Sequence, residues 1–329
     1  MNPPPSSPDS AASPESNPSG SSRRVIRLFI GMLAGNAIGI LPCLLGAFLL
    51  FSKEAPSGWL GKFVALPSLL LVPVIIGFVA AFIWRPLHLG IGMTLAHSAT
   101  CTAIGLVCAG LFLGEGIICL IILSPILLAG VMAGALIGRL VFRRKKNSLV
   151  LCFAPLAILA LVEPGLREPH TGAVIDEIRI NAPPARVWPH VLAFDEIPDP
   201  PDYWLFRAGL PYPTMTTNGG NFVGASRACH FSGGAVFEEK VAEFVPGQRL
   251  AFDIVKSPPD PELIGHLDAY RGQFELRDNG DGSTTLTGTT WYALQVRPAW
   301  YFDWWTHDIF RAVHLRVMNN IKRLAERGS

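Results

Sequence analysis

Chemistry in this chain would have to come from a few ionisable side chains in its last third. His230, Glu238, Asp253, His266, Tyr270, Arg271 and His307 are the acid–base candidates, and His230, Glu238 and Arg271 are the set chosen as catalytic candidates. A general acid or base must reach its proton and hold a suitably tuned pKa. Successive side chains on a strand point to opposite faces. His230 and Cys229 therefore cannot act as a pair, and only one of Glu238 and Glu239 can face inward. An inward carboxylate without a partner is costly; Arg271 is the expected partner across the sheet, and a solvated face is the alternative. His307 and His314 lie two turns apart, wider than the close pair that helical metal sites use. With no Cys/His cluster, no P-loop and no dinucleotide-type glycine loop in the sequence, no metal and no cofactor are expected.

Aromatic residues of the same region suit the lining of an apolar pocket, since such sites are mostly hydrophobic with few polar groups. Trp188, Phe231, Phe237, Phe252, Trp291 and Trp305 are the ligand-binding candidates; filling a core is the competing use for each. A Pro-rich connection, Ile197–Trp204, leads within the segment 197–213 into the apolar Tyr203, Trp204, Leu205 and Phe206. Tyr203, Trp204 and Phe206 are expected to form a lid over the pocket or to dip into a nearby bilayer, where aromatic rings are favoured. Packing on their own domain is the alternative.

The elements that must position these residues divide sharply near residue 165. Half of all residues are hydrophobic and only 16% are charged, too apolar a balance for an ordinary cytosolic chain. Residues 1–22 are rich in Pro, Ser and Asn, cannot bury enough surface to offset ordering, and are expected to be disordered. Apolar stretches then predict helices over 25–51, 63–84, 89–113, 116–142 and 148–163, a membrane region spanning 23–165. Positive charge gathers at Arg23, Arg24, Arg27 and at Arg143, Arg144, Lys145, Lys146, as on cytoplasmic flanks. Five crossings would place the C-terminal part on the outer face of an inner membrane. If 148–163 only dips in, that part stays cytoplasmic.

Gly31, Gly35, Gly39 and Gly130, Gly134, Gly138 clear one face of two helices, for packing within the bundle or for homo-oligomerisation. Asn36 suits an interhelical hydrogen bond, His97 is a lone histidine, and Arg139 can snorkel. Five of six cysteines lie in apolar segments, where a thiol acts as a small hydrophobe. The formal charge of +2, with no basic stripe, excludes a nucleic-acid partner. The expected partners are a bilayer and a hydrophobic small molecule.

From Val174 onward the pattern becomes strand-like. Val174, Asp176, Ile178 and Ile180 share one face of a first strand. Ala182-Pro183-Pro184 opens a helix with an apolar stripe of Val187, Trp188, Val191 and Leu192. Strands are expected over 222–231, 234–244, 249–256, 267–277 and 284–295, separated by glycine turns. A long helix over 298–326 carries Phe302, Trp305, Ile309, Val313, Val317, Ile321 and Leu324 on one face. Its stripe must be buried, and the sheet is the available surface.

These residues carry a resemblance. Residues 178–188 (IRINAPPARVW), the strand–turn–strand 239–252 (EKVAEFVPGQRLAF), the hairpin through NGDGSTTLTGTTWY and the ending HLRVMNNIKRLAE resemble the START-like (SRPBCC) superfamily, described as polyketide cyclase/dehydrase and lipid transport. The likeness covers about residues 172–327. It implies a helix-grip domain, a curved antiparallel sheet around a long C-terminal helix with a cavity between; with the transmembrane helical bundle read from the apolar stretches, the expected chain is α+β. Members bind lipids, sterols, polyketides or plant hormones, and a minority cyclise or dehydrate aromatic substrates. Fold does not fix function, so three readings stand: a membrane-anchored binding or transfer module for a lipid-like molecule, a cyclase or dehydratase, and a regulatory component with no ligand. A charged or histidine group inside the cavity would favour the enzyme, and a filled interior the regulator.

Overall fold

The computed structural model describes residues 18–51, 66–113, 116–144, 170–259, 267–296 and 298–327. Most of the expected disordered tail, the fifth apolar segment over 148–163, Lys145, Lys146 and His266 lie outside the described residues. Among the described residues the N-terminal half holds four α-helices: α1 (Pro18–Phe51), α2 (Leu66–Trp84), α3 (Ile91–Cys108) and α4 (Ile117–Arg144). Helix α1 starts at Pro18, earlier than expected. Among the described residues, two stretches are long and apolar enough to cross a membrane, Ile91–Leu111 and Ile117–Phe142.

Small residues set how these helices pack. A Cβ on Gly35 would sit 2.8 Å from the Ile76 carbonyl, and one on Gly130 2.7 Å from Pro73. Gly134 abuts the Val74 carbonyl and Gly77 the Val131 carbonyl. Both glycine stripes therefore close on α2 of the same chain. Gly31 meets Trp84 whereas Gly39 meets Val72, so α1 runs antiparallel to α2; Gly130 meets Pro73 and Gly138 meets Ala81, so α4 runs parallel to it. Asn36 Nδ2 on α1 donates to the Cys101 carbonyl on α3 at 3.1 Å, the interhelical hydrogen bond its position suggests. His97 packs against the Trp84 ring. Arg139 on α4 donates to Thr94 Oγ1 near the start of α3 at 3.2 Å. Arg23, Arg24, Arg27, Arg85 and Arg139 thereby gather toward one end of the four helices.

The other half is one antiparallel sheet of seven strands gripping a long helix. The strands are β1 (His170–Ile180), β2 (Pro213–Asn218), β3 (Ser226–Phe231), β4 (Val236–Val245), β5 (Arg249–Lys256), β6 (Leu267–Asp278) and β7 (Thr284–Leu294). Their order is β1-β7-β6-β5-β4-β3-β2. The first strand thus pairs with the last, Ile178 opposite Leu286 and Val174 opposite Thr290. Two short helices, α5 (Pro184–Leu192) and α6 (Trp204–Ala208), precede β2, and α7 (Ala299–Glu326) closes the chain. Strand β2 and helix α6 are additions to the expected elements. PTMTTN lacks apolar alternation, yet it suffices for an edge strand whose proline stands first, where no ladder donor is needed.

Helix α7 buries Phe302, His314, Val317, Met318, Ile321 and Ala325. Its C-terminal half meets α5 and the sheet through Val187, Val191, Leu250 and Leu286. Its N-terminal half joins a second cluster with Leu205, Phe206, Tyr292 and Leu294, and that cluster continues into Ile118 and Ile122 of α4. The contact is specific. Pro125 has no N–H to give the Ile121 carbonyl; the Ser124 hydroxyl donates there instead at 2.9 Å, and Tyr301 of α7 donates its hydroxyl to the adjacent Ile122 carbonyl at 2.6 Å. The C-terminal domain thus sits against the end of α4 remote from Arg139.

Two substitutions test these packings. Gly134→Leu should lower the melting temperature of the detergent-solubilised protein by several degrees, since a backbone carbonyl blocks the new side chain. Leu286→Ala, at a fully buried site, should cost about 2–5 kcal/mol in denaturant unfolding.

Candidate functional site

Between the concave face of the sheet and α7 lies a cavity of about 140 Å³. An apolar hollow of about 150 Å³ can hold a benzene ring, so this one is ring-sized and cannot enclose a whole diacyl lipid. Phe231, Phe237, Phe252, Ile254 and Phe274 line it from the sheet, Ile309, Phe310, Val313 and Val317 from α7, and Leu210 and Pro211 from the segment before β2. Gly272 makes room for the Phe252 ring, which a Cβ there would meet at 2.5 Å.

Two polar stations interrupt the apolar wall. Arg227 and Glu239 lie directly opposite each other in the β3–β4 register and form a buried ion pair, their side chains 3% and 5% exposed. The Arg227 guanidinium also stacks 4.3 Å over the Phe252 ring. Burial pushes the Glu239 carboxyl up, and the Arg227 charge pulls it back part of the way. Cys229, in the same wall, is pushed up to about 12 by burial and then by the Glu239 charge, with Arg227 and the Thr216 hydroxyl opposing. At neutral pH it is a thiol, which rules it out as a ready nucleophile.

The second station joins three elements. His314 on α7 places Nδ1 2.9 Å from Asp176 Oδ2 on β1 and Nε2 2.8 Å from Thr290 Oγ1 on β7. Asp176 and His314 are buried, and His314 and Thr290 both line the cavity. In a neutral imidazole the carboxylate would hold the proton on Nδ1, leaving Nε2 to accept from the Thr290 hydroxyl. Arg311 Nη1, 3.4 Å from Asp176 Oδ1, balances the carboxylate from the outside. This chain of donors can orient a polar ligand group or pass a proton.

The residues singled out in the sequence are scattered. Phe231, Phe237 and Phe252 line the cavity. Trp188 instead packs in the core against Phe244, Trp291 lies under the Arg271 guanidinium, and Trp305 joins the cluster near α6. The chosen catalytic candidates do not meet. Glu238 is exposed and pairs with Lys256 at 2.7 Å, Arg271 pairs with Asp253, and His230 stands outside the cavity wall. The inward carboxylate is Glu239, and its partner is Arg227 rather than Arg271. Parity explains the correction: on β3 and β4 the residues sharing a face with Phe231 and Phe237 are Arg227, Cys229 and Glu239. Tyr203 donates to Asp308 at 2.6 Å, and burial followed by that carboxylate pushes its phenol up. Phe206 is buried. The segment reaches the cavity through Leu210 and Pro211, not through the three expected lid residues. Among the described residues no cluster of His, Cys, Asp and Glu could hold a metal ion.

The ion pair yields a test. Arg227→Met strands a buried carboxylate and should cost about 3–5 kcal/mol near neutral pH. With its cation gone, the folded-state pKa of Glu239 rises further above the unfolded value. The folded state then holds the extra proton, so stability falls as pH rises through this range and returns on acidification. Unfolding curves of Arg227→Met from acid to neutral pH should show that slope relative to wild type. Arg227→Met combined with Glu239→Leu should recover most of the loss.

Comparison with known proteins locates this half. No curated protein is significantly similar to the chain. Among solved structures, norcoclaurine synthase from Thalictrum flavum in complex with dopamine and hydroxybenzaldehyde is 14% identical with a TM-score of 0.35, the match covering 49% of this chain and 90% of that one. A protein from Mesorhizobium loti is 17% identical with a TM-score of 0.34, over 48% of this chain and 99% of that one. A third, from Nitrosospira multiformis, is 18% identical with a TM-score of 0.30, over 44% and 93%. Residues 172–326 match the family described as polyketide cyclase / dehydrase and lipid transport. The curled seven-stranded antiparallel sheet around a C-terminal helix in this matched segment fits the helix-grip fold.

Proposed function

We propose that the chain is a membrane-anchored binding module whose C-terminal domain takes up an apolar small molecule with one polar group. The ligand is ring-sized, or a single-chain amphiphile that inserts one end. One observation carries the reading. Leu210, Leu267, Ile309, Phe310 and Val313 line the cavity and belong to the same apolar cluster as Ile118 and Ile122 of α4. Apolar side-chain packing therefore runs from the end of a membrane-length helix to the cavity wall. The Arg227–Glu239 and Asp176–His314–Thr290 stations would fix the orientation of the ligand's polar end.

The same geometry supports an outer location for the domain. Basic residues flank the cytoplasmic ends of membrane helices, and here they gather at the end opposite the domain. The chain leaves α4 at Arg144 and re-enters the described structure at His170, beside the opposite end. Protease added to intact spheroplasts should degrade the domain; protection until lysis would place it in the cytoplasm.

Native mass spectrometry of the detergent-purified protein tests the binding itself, through the mass of whatever remains bound. A co-purifying compound is expected on wild type. It should be lost from Val313→Trp, which fills the hollow from α7 and leaves the ion pair intact. If wild type carries no compound and takes up no added apolar ligand, a tethered module without a ligand remains.

The buried histidine favours a second reading, a dehydratase. His314 Nε2 would take a proton from carbon beside a carbonyl, Asp176 would stabilise the imidazolium, and the same proton would leave with the departing hydroxyl as water. The compound extracted from the His314→Gln variant, returned to wild type, would then become lighter by one water. Recovery at unchanged mass supports binding alone.

A further inference from the structure

We infer that the end of the C-terminal domain bearing Trp204, Trp300 and Trp304 is a lipid-contacting surface, seated in the headgroup layer of the leaflet remote from the basic helix ends. The inference rests on the reading of α4 as a membrane span and adds a second, independent attachment to the bilayer.

Length along α4 sets the depth. Arg139 is held at one end by Thr94, and the seventeen residues from there to Ile122 rise about 26 Å along an α-helix. A hydrocarbon core is about 30 Å thick. With Arg139 at one boundary, Ile122 stands within a few ångströms of the other. The Tyr301 hydroxyl is bonded to the Ile122 carbonyl at 2.6 Å, which brings the first turn of α7 to the same level.

Three tryptophans are exposed around that turn. Trp300 is 75% exposed, Trp304 62% and Trp204 49%. Trp300 and Trp304 are one turn apart on α7 and share a side of it. Trp204 comes from α6 and reaches the same patch through Trp305, whose ring centroid is 6.4 Å from Trp204 and 4.8 Å from Trp304. Indole is the side chain most suited to the boundary between acyl chains and headgroups, with an apolar body and one N–H donor. Clustered indoles facing water are unfavourable on a soluble domain. Here the patch continues the α4 contact at membrane level, so lipid covers it. The three indoles and Tyr301 would hold the domain down on the leaflet that supplies its ligand.

Site-specific photocrosslinking of the full chain tests this. Trp300→p-benzoylphenylalanine and Trp304→p-benzoylphenylalanine are compared with Phe222→p-benzoylphenylalanine, since Phe222 is 62% exposed in the loop at the other end of β3. Ile137→p-benzoylphenylalanine, on the exposed side of α4, reports whether that helix is in lipid. Each variant is placed in nanodiscs of phosphatidylethanolamine and phosphatidylglycerol, irradiated and read by mass spectrometry. Phospholipid adducts at 300 and 304, severalfold above position 222 and accompanied by adducts at 137, are the expected result. Adducts at 137 with none above the 222 level at 300 and 304 would overturn this inference alone. Failure at 137 as well would overturn the membrane reading with it. Chain-to-chain crosslinks at 300 or 304 would mean that a second copy covers the patch instead.

Discussion

Everything in the C-terminal domain depends on a long helix being enclosed by a sheet curved enough to cover it. The two cannot touch along their whole length. Where Met318 and Ile321 approach the sheet the packing is dense, as at Gly288, where a Cβ would stand 3.1 Å from the Met318 sulfur. Farther toward the N-terminus of the helix, sheet and helix diverge. Large rings from β3, β4, β5 and β6 fill the gap only in part. The cavity is thus the residue of a geometric mismatch between a straight rod and a bent surface, and glycines decide where the mismatch is closed.

Polar groups enter this interior because strand alternation leaves no choice. Once Phe231 and Phe237 face inward, so do Arg227 and Glu239. The sequence resolves the conflict by making them cross-strand partners. Asp176 faces inward with Val174 and Ile178 for the same reason, and His314 and Arg311 from the helix answer it. Neither station adds much to stability over a well-packed apolar equivalent.

Much of the architecture was legible from periodicity. The strand and helix ends of β5, β6, β7 and α7 fall within a residue or two of expectation, because their apolar alternation is strong and glycine turns bound them. Asn36 and the glycine stripes also announced close helix packing. Strand β2 was hidden, since an edge strand of threonines carries no apolar alternation. The site was less legible than the fold. His230, Glu238 and Arg271 stood out as isolated ionisable groups, whereas the groups in the cavity wall were masked by apolar neighbours. The signal was present as a rule of two: polar residues in phase with known core aromatics. Trp188 and Trp305 on helices and Trp291 on a strand show the converse, that size and hydrophobicity do not reveal whether a ring will face the cavity.

The Tyr301–Ile122 hydrogen bond has a mechanical consequence. A globular unit joined to a helix at one covalent point can swivel about it. Hooking Tyr301 onto a carbonyl beside Pro125 gives a second fixed point, and two fixed points turn a swivel into a hinge.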